Sequence, residues 1–549
     1  MCGIFSLLNY STNKLEYDNV SDEFAKGRGR GPENSTLFHD DALNIVTGFH
    51  RLAINGLNET SNQPISVIES IDKYSLICNG EIYNYKQLYK LMNITPTTDS
   101  DCEVIIHLYI RYGIEHTLRM LDGVFAFVLF CPNNIFVARD PYGVRPLYYT
   151  KNDVFNKVNG NGIIGFTSEL KTLCKIANQF NQKVLQFTPG TFLTIDKTVD
   201  FEKISWVIRK QEIYHIPTFA STANVNTFNN IDTYLQGISY HLRAAVIKRY
   251  TTTERPIACL LSGGLDSSLI AALVCDIHNK KEPIETYSIG LPDSEDIKFA
   301  RLVADHIGSN HTEIIVSEQD MLNIIPEVVR AIESYDTTTV RASIGNYLIG
   351  KYIKAHSSAK VIFNGDGSDE LAGGYLYMNS CPDSVEYDME TVRLLKDIHL
   401  FDVLRSDKSI SSHGLEPRTP FLDREFVNYY LSIPIELRNH NLGQSIEKHL
   451  IRLAFKDNNL LPPEILWRKK EAFSDGVSNK GKSLFQIIQE HTDNLILDPR
   501  FNLKQKERTF YKDIFENAYP NQSHLVPYYW MPKYILSDDP SARTLANYK

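Results

Sequence analysis

A cysteine stands directly after the initiator methionine. A side chain that small permits removal of Met1, which leaves Cys2 with a free α-amine. An α-amine titrates near about 7.7–8.0 and a thiol near about 8.5, so the amine can act as base to its own sulfur, directly or through one water. Alone, a cysteine at position 2 reads more readily as an accident of a frayed terminus. Gly3 and the β-prone IFSLL instead carry the terminus into a sheet. HRLAI then supplies Arg51, CNGEIYNY supplies Asn79, Gly80 and Glu81, and DSDCEVI supplies Asp101. Attack on a side-chain amide needs donors for the tetrahedral oxyanion, and Asn79 with the Gly80 N–H can provide them. A free amino acid also needs its α-carboxylate clamped, which suits Arg51, and its α-ammonium accepted, which suits Glu81 and Asp101. Taken singly, Asn79-Gly80 reads as a turn and Asp101 as a helix N-cap.

A second constellation begins at Ser262-Gly263-Gly264-Leu265-Asp266-Ser267-Ser268, between the apolar run PIACLL and an apolar helix. Glycines let the backbone approach an anion, and the following helix N-terminus offers free N–H groups and a positive dipole end. Ser262, Ser267 and Ser268 add hydroxyls. Asp266 beside phosphate calls for a cation between them, which points to Mg²⁺. No Gly-Lys-Ser/Thr follows, so this is not a P-loop. NGDGSDELAGGY follows a second strand, KVIFN, and holds Asp366, Asp369 and Glu370 within five positions. Asp369 is the expected second Mg²⁺ ligand, opposite Asp266. Arg341, Arg418 and Lys470 are basic groups that would stabilise charge on a departing pyrophosphate if they converged there.

These residues need elements to hold them. CGIFSLL, YSLIC, VFAFVLF, NIFVARD, PLYYT and FLTID are short β-prone runs bounded by Asn, Asp, Gly or Pro, with helical patterns over Tyr85–Met92 and 101–112. They predict stacked antiparallel sheets flanked by helices. Residues 217–230 (PTFASTANVNTFNN) carry neither period and read as a linker. Beyond them PIACLL, TYSIGL, HTEIIV and KVIFN alternate with helices, one with an apolar stripe at Ala300, Val303, Ala304 and Ile307. That rhythm predicts a parallel sheet covered on both faces. The expected division is 2–200, a linker over 201–232, and 233–549.

The chain has 549 residues, too many for one ordinary core. A net charge of −9 gives no basic face for nucleic acid. The eight cysteines include no Cys-x-x-Cys pair, so free thiols in a reducing, cytoplasmic compartment are expected. The opening MCGIFSLLNY lacks the features of a signal peptide, and the longest apolar run, over 124–131, is far below the ~20 residues of a membrane helix.

MCGIF, RGP, HRLAI, NGEIYNY, SDCEVI, LDGVFAFVLF, ARDPYGVRPLYY and SELK resemble, in order, the class II glutamine amidotransferases. That resemblance implies an αββα N-terminal-nucleophile sandwich. It makes Cys2 the nucleophile and Asn79 and Gly80 the oxyanion hole, with Arg51, Glu81 and Asp101 binding glutamine. SGGLDSS, DTTTVRAS, GGYLYM, HGLEPRTPFLD, LWRKKEAFSDGV and DDPSARTL resemble the ATP-pyrophosphatase domain of the glutamine-hydrolysing asparagine synthetases. This implies attack of the aspartate side chain on the α-phosphate of ATP and displacement of AMP by ammonia, which needs a water-poor passage. Leu261, Ile289, Asn364 and Gly365 are then nucleotide contacts, Ser262 to Ser268 bind pyrophosphate, and Lys470 is a catalytic cation. Asp366 stands where many members carry Glu, and Asn364 where they carry Ser. The resemblance includes no nucleic-acid or membrane partner, and a homodimer is one possible assembly.

Overall fold

The computed structural model describes residues 1–11, 15–150, 162–201, 203–216, 230–278, 281–441, 445–478 and 481–545. In chain order its strands are β1 (Gly3–Leu8), β2 (Asn34–Asp40), β3 (Ile45–Arg51), β4 (Ile65–Glu69), β5 (Asp72–Ile82), β6 (Gly123–Phe130), β7 (Asn134–Arg139), β8 (Tyr148–Thr150), β9 (Ile164–Thr167), β10 (Val184–Gln186), β11 (Thr191–Asp200) and β12 (Lys203–Ile213). Then follow β13 (Ile257–Leu260), β14 (Glu285–Gly290), β15 (Asn310–Ile315), β16 (Val361–Phe363) and β17 (Glu416–Arg418). Two compact units share them. Unit 1 comprises Met1–Ile216, Ser411–Leu415 and Phe515–Leu525, and unit 2 comprises Pro217–Ile410, Glu416–Ile514 and Val526–Lys549.

Unit 1 stacks two antiparallel sheets, ordered β10-β8-β9-β1-β3-β2 and β12-β11-β7-β6-β5-β4 among the described residues. The run VFAFVLF shows why. Phe125, Phe127 and Leu129 join one core with Leu88, Val104 and Leu108 of the flanking helices Tyr85–Met92 and Val104–Met120. Ala126 and Val128 point the other way, into a core shared with Ile4, Leu8 and Phe49 of the opposing sheet. Period-two alternation with both faces covered makes the strand apolar throughout. Each large side chain buried this way contributes about 1.5–3 kcal/mol. The helical pattern over 101–112 becomes a 3-10 turn, Asp101–Glu103, and the helix Val104–Met120, which kinks at Gly113.

Residues 203–213, expected as linker, are instead β12, paired along its length with β11. Its largely exposed side chains explain why composition alone suggested linker. The helix Ile231–Thr251 likewise begins inside the expected linker, and residues 217–229 of that stretch lie outside the described residues. The strands β2 and β3 were also missed, though every residue of β3 is buried.

Unit 2 carries a five-stranded parallel sheet, ordered β15-β14-β13-β16-β17 among the described residues. From β13 the chain builds outward through β14 and β15, then returns to start β16 on the other side. β13 and β16 therefore flank the topological switch point, whose crevice lies beyond their carboxyl ends.

Candidate active sites

In unit 1 Cys2 immediately precedes β1, and Arg30 of the RGP motif holds its carbonyl by an Nε donation of 2.9 Å. The Cys2 thiol faces the Leu52 carbonyl at 3.5 Å. Asn79, Gly80 and Glu81 lie on β5 of the opposing sheet, which packs against β1 and β3. Ser168 joins the two sheets, because its hydroxyl accepts from Ile4 N at 3.1 Å and from Asn79 Nδ2 at 3.5 Å. The Asn79 amide is fully buried, yet among the described residues its Oδ1 has no partner and its only donation is that long one. A buried amide so loosely held is a donor available to a ligand. Arg51 ends β3 and is oriented by the 56–62 loop, donating to Gly56 O, to Asn58 O at 2.8 Å and to Asn62 Oδ1 at 2.7 Å. Asn55, just before that loop, donates to Glu81 at 2.6 Å, which ties the loop to β5. Asp101 is not the N-cap of its turn. Ser100 fills that role, and the Asp101 carboxylate instead accepts from Ile82 N at 2.6 Å.

The motif ARDPYGVRPLYY is structural. The Asp140 carboxylate accepts from Tyr142, Val144 and Arg145 N–H groups at 2.9–3.1 Å, and Arg139 donates to three backbone carbonyls, so the turn between β7 and β8 closes on itself.

In unit 2 a cavity of about 210 Å³ opens beyond β13 and β16. Leu261, Ile289 and Ile349 line its apolar part, and Ser262, Gly264, Asp266 and Ser267 its rim. Gly263 has φ +73°, and a Cβ there would lie 2.5 Å from Ala300 N. A side chain is thus excluded where the strand must turn sharply into the helix Leu265–Ile277. The Ser267 hydroxyl braces the turn, 2.9 Å from Ser262 Oγ. Gly365 brings the second motif against the first, since a Cβ there would lie 2.7 Å from Asp266 C. Ser268 is fully buried within the helix with an unpartnered hydroxyl and does not line the cavity.

Two carboxylates from these neighbouring strand ends share two ammonium groups. Lys448 Nζ lies 2.5 Å from Asp266 and 2.6 Å from Asp369, and Lys470 Nζ lies 2.5 Å from the other oxygen of Asp369. Burial alone would raise the Asp369 pKa, but Lys448 and Lys470 together hold it well below the carboxylate range. Lys470 is raised in turn, as Asp369 and Asp266 more than offset its burial. Asp366 accepts from Asn364 Nδ2 at 2.7 Å, and its pKa is raised by burial that the nearby Arg405 only partly offsets. Glu370 is pushed up to about 7 by burial and by Asp369, and Asp296 to about 7 by burial despite its partner Arg468.

Two expected cations are elsewhere. Arg341 is sealed between Glu507 (2.6 Å) and Asp539 (2.8 Å). Arg418 is buried against Glu416 and donates to the Arg249 and Thr252 carbonyls. Neither lines the cavity, because each guanidinium is already satisfied by buried acceptors. Lys448 takes the central position that sequence reasoning overlooked. It stands in SIEKHLIR, which carries no motif, and its backbone is left-handed at φ 58°. Such a conformation in a residue with a side chain often marks a functional site. Arg468, two residues before Lys470, was also overlooked, and it donates to Gly263 O and Asp296 at 3.0 Å each.

A family model described as Glutamine amidotransferase domain matches residues 1–211, and one described as Asparagine synthase matches 237–387 and 379–534. The asparagine synthetase [glutamine-hydrolyzing] of Gallus gallus is 43% identical over 573 residues, covering 100% of this chain and 99% of that protein. Its Homo sapiens counterpart is 41% identical over 575 residues with the same coverage.

Proposed function

This chain belongs to the glutamine-hydrolysing asparagine synthetases, and we propose that its two units divide the reaction as follows. With Met1 removed, the Cys2 amine takes the thiol proton and sulfur attacks the side-chain amide carbon of glutamine. The oxyanion is held by Asn79 Nδ2 and the Gly80 N–H, and ammonia leaves as the tetrahedral intermediate collapses. Water then cleaves the thioester and releases glutamate. Arg51 clamps the substrate carboxylate, and Glu81 and Asp101 accept its ammonium. The loosely held Asn79 amide beside the Cys2 strand supports this assignment.

In unit 2 the adenine ring rests on the Leu261 and Ile289 side, with Asn364 and Gly365 nearby, and the phosphates lie along Ser262 to Ser267. A side-chain oxygen of aspartate attacks the α-phosphorus, the bond to the β-phosphate breaks, and diphosphate departs. Lys448 and Lys470 stabilise the charge it carries away. Ammonia then attacks the acyl carbon and AMP leaves, giving asparagine. Asp366, whose raised pKa suits proton uptake, accepts a proton from the attacking nitrogen. The observation that carries this reading is the pair Asp266 and Asp369 converging on the two ammonium groups of Lys448 and Lys470. Two hard oxygen ligands around a cation also fit Mg²⁺, which takes one or two carboxylates and completes its shell with phosphate and water. Bound there, it would neutralise the triphosphate.

We place the reaction in the cytoplasm, in keeping with eight cysteines that include no Cys-x-x-Cys pair. Among the described residues no helix is long and apolar enough to cross a membrane. The assembly proposed is a homodimer, which sedimentation of the purified protein checks.

The deciding experiment supplies purified protein with aspartate, ATP and glutamine. Asparagine, AMP and diphosphate should form in equal amounts, and ADP as product would overturn the reading. Cys2→Ala should abolish the glutamine-driven reaction and spare the ammonia-driven one. EDTA should stop diphosphate release while glutamine hydrolysis continues.

A further inference from the structure

We infer that Arg405 is the clamp for the α-carboxylate of the amino-acid substrate, holding it while the other carboxylate is adenylated. The inference rests on the reading of the unit 2 cavity as the place of aspartate activation. Aspartate brings two carboxylates. The reacting one must approach the phosphates near Asp266, Lys448 and Lys470, so the other needs donors that are not already spent.

Six cationic side chains line the cavity, and five of them are unsuited. Lys448 bridges Asp266 and Asp369, and Lys470 is held by Asp369. Arg452 donates to the Glu447 carboxylate and to the Glu447 and Leu466 carbonyls. Arg468 donates to Gly263 O, Asp296 and Glu471 and lies 4.0 Å from the Phe299 ring centre. Lys469 is exposed and presents a single hydrated point charge. Arg405 differs. Its side chain is 17% exposed and pairs with one carboxylate, Asp402, through Nη2. Among the described residues its Nε and Nη1 donate to nothing, so whichever Nη2 hydrogen Asp402 takes, one two-donor edge of the guanidinium stays open beside the cavity.

The fork is also rigidly presented. Arg405 belongs to the helix Asp402–Ser411, and that helix is fastened to the loop after β16 at two points. Asn364 Nδ2 donates to Ser406 Oγ at 2.8 Å, and Gly367 N donates to Asp402 at 3.1 Å. The guanidinium is also near enough to Asp366 and Glu370 to favour their charged forms, against the burial that raises both. A fork of parallel N–H groups matches a carboxylate in two simultaneous bonds. The neighbouring Asp366 and Asp402 carboxylates suit the α-ammonium.

β-Alanine is aspartate without the α-carboxylate, and it keeps the reacting carboxylate and the amine. Diphosphate release should therefore be measured with both substrates. The native protein should prefer aspartate in kcat/KM by on the order of 10³-fold or more, as expected of a site built around a hydrogen-bonded group. Arg405→Gln should lower kcat/KM for aspartate by about 100-fold, chiefly through KM, and change β-alanine by less than about threefold, so the preference collapses. A merely structural role would depress both substrates together. Arg405→Lys keeps the charge without the fork and should fall between, and it reads the same ratio if the Gln variant does not fold. The proposal is overturned if the native protein uses β-alanine as well as aspartate, or if the preference survives in both variants. If the native protein releases no diphosphate with aspartate, the reading of the cavity itself falls and takes this inference with it.

Discussion

In unit 1 the candidate residues are carried on or beside β-ladders. Cys2 precedes β1, Arg51 closes β3, and Asn79 to Glu81 sit within β5. In unit 2 the candidate ligands Ser262, Asp266, Asn364 and Asp369 lie beyond the last residues of their strands, on turns and first helical turns. The first site is therefore placed by backbone register, and a one-residue slip would turn its side chains to the wrong face. The second is placed by ion pairs between side chains far apart in the chain, Asp266 with Lys448 and Asp369 with Lys470. A site made of register needs little net charge to hold its shape. A site made of charges is preorganised for a polyanion and depends on every member being present.

That contrast can be broken most sharply at Lys448. Lys448→Met leaves Asp266 and Asp369 with Lys470 as their one shared cation among the described residues. Loss of one group that stabilises developing charge costs about 10²–10³ in rate, so kcat/KM for ATP should fall by about two to three orders of magnitude. Glutamine hydrolysis should stay within about twofold. A variant that keeps its AMP formation would show that the two carboxylates do not need this ammonium.

Asn79→Ala is the matching change in unit 1. Loss of one oxyanion donor costs about 2.7–4 kcal/mol, so glutaminase kcat should drop by about 10²–10³ while ammonia-driven synthesis persists. An unchanged kcat would move the donor to another group.

The smallest effect concerns pH and has opposite signs in the two units. Glu103, in unit 1, would be raised by burial, but His107 and the Thr97 and Thr98 donors hold it at about 2. Its stabilisation is complete above the ordinary carboxylate value and is lost as pH falls through 2. Glu103→Gln should therefore lower Tm at pH 7, with the difference shrinking below pH 4.5. Glu370, in unit 2, is pushed up to about 7 by burial and Asp369, so it favours the fold at low pH and loses that contribution as pH rises from 4.5 through 7. Glu370→Gln, which keeps the uncharged form, should flatten the decline in Tm over that range. Parallel trends in the two variants would remove the contrast.

Much of the fold could be read from local pattern. Alternation in VFAFVLF, the glycine-serine turn after PIACLL and the carboxylates after KVIFN all depend on neighbours a few positions away, and the structure has strands and turns there. β12 escaped notice because an exposed edge strand buries too little to show a period. Arg341 and Arg418 were misread because an isolated arginine looks the same whether buried carboxylates satisfy it or a ligand will.

The sequence by itself therefore determined where the proposed nucleophile stands, the two-sheet and parallel-sheet patterns, and the two loops that meet at the switch point. Only the tertiary structure decided which charges face the cavity. Asp266 and Lys448 are 182 residues apart. Steric and periodic rules act between neighbours and leave a trace in the order of residues. A Coulombic partnership acts through space, and the chain must fold before it exists.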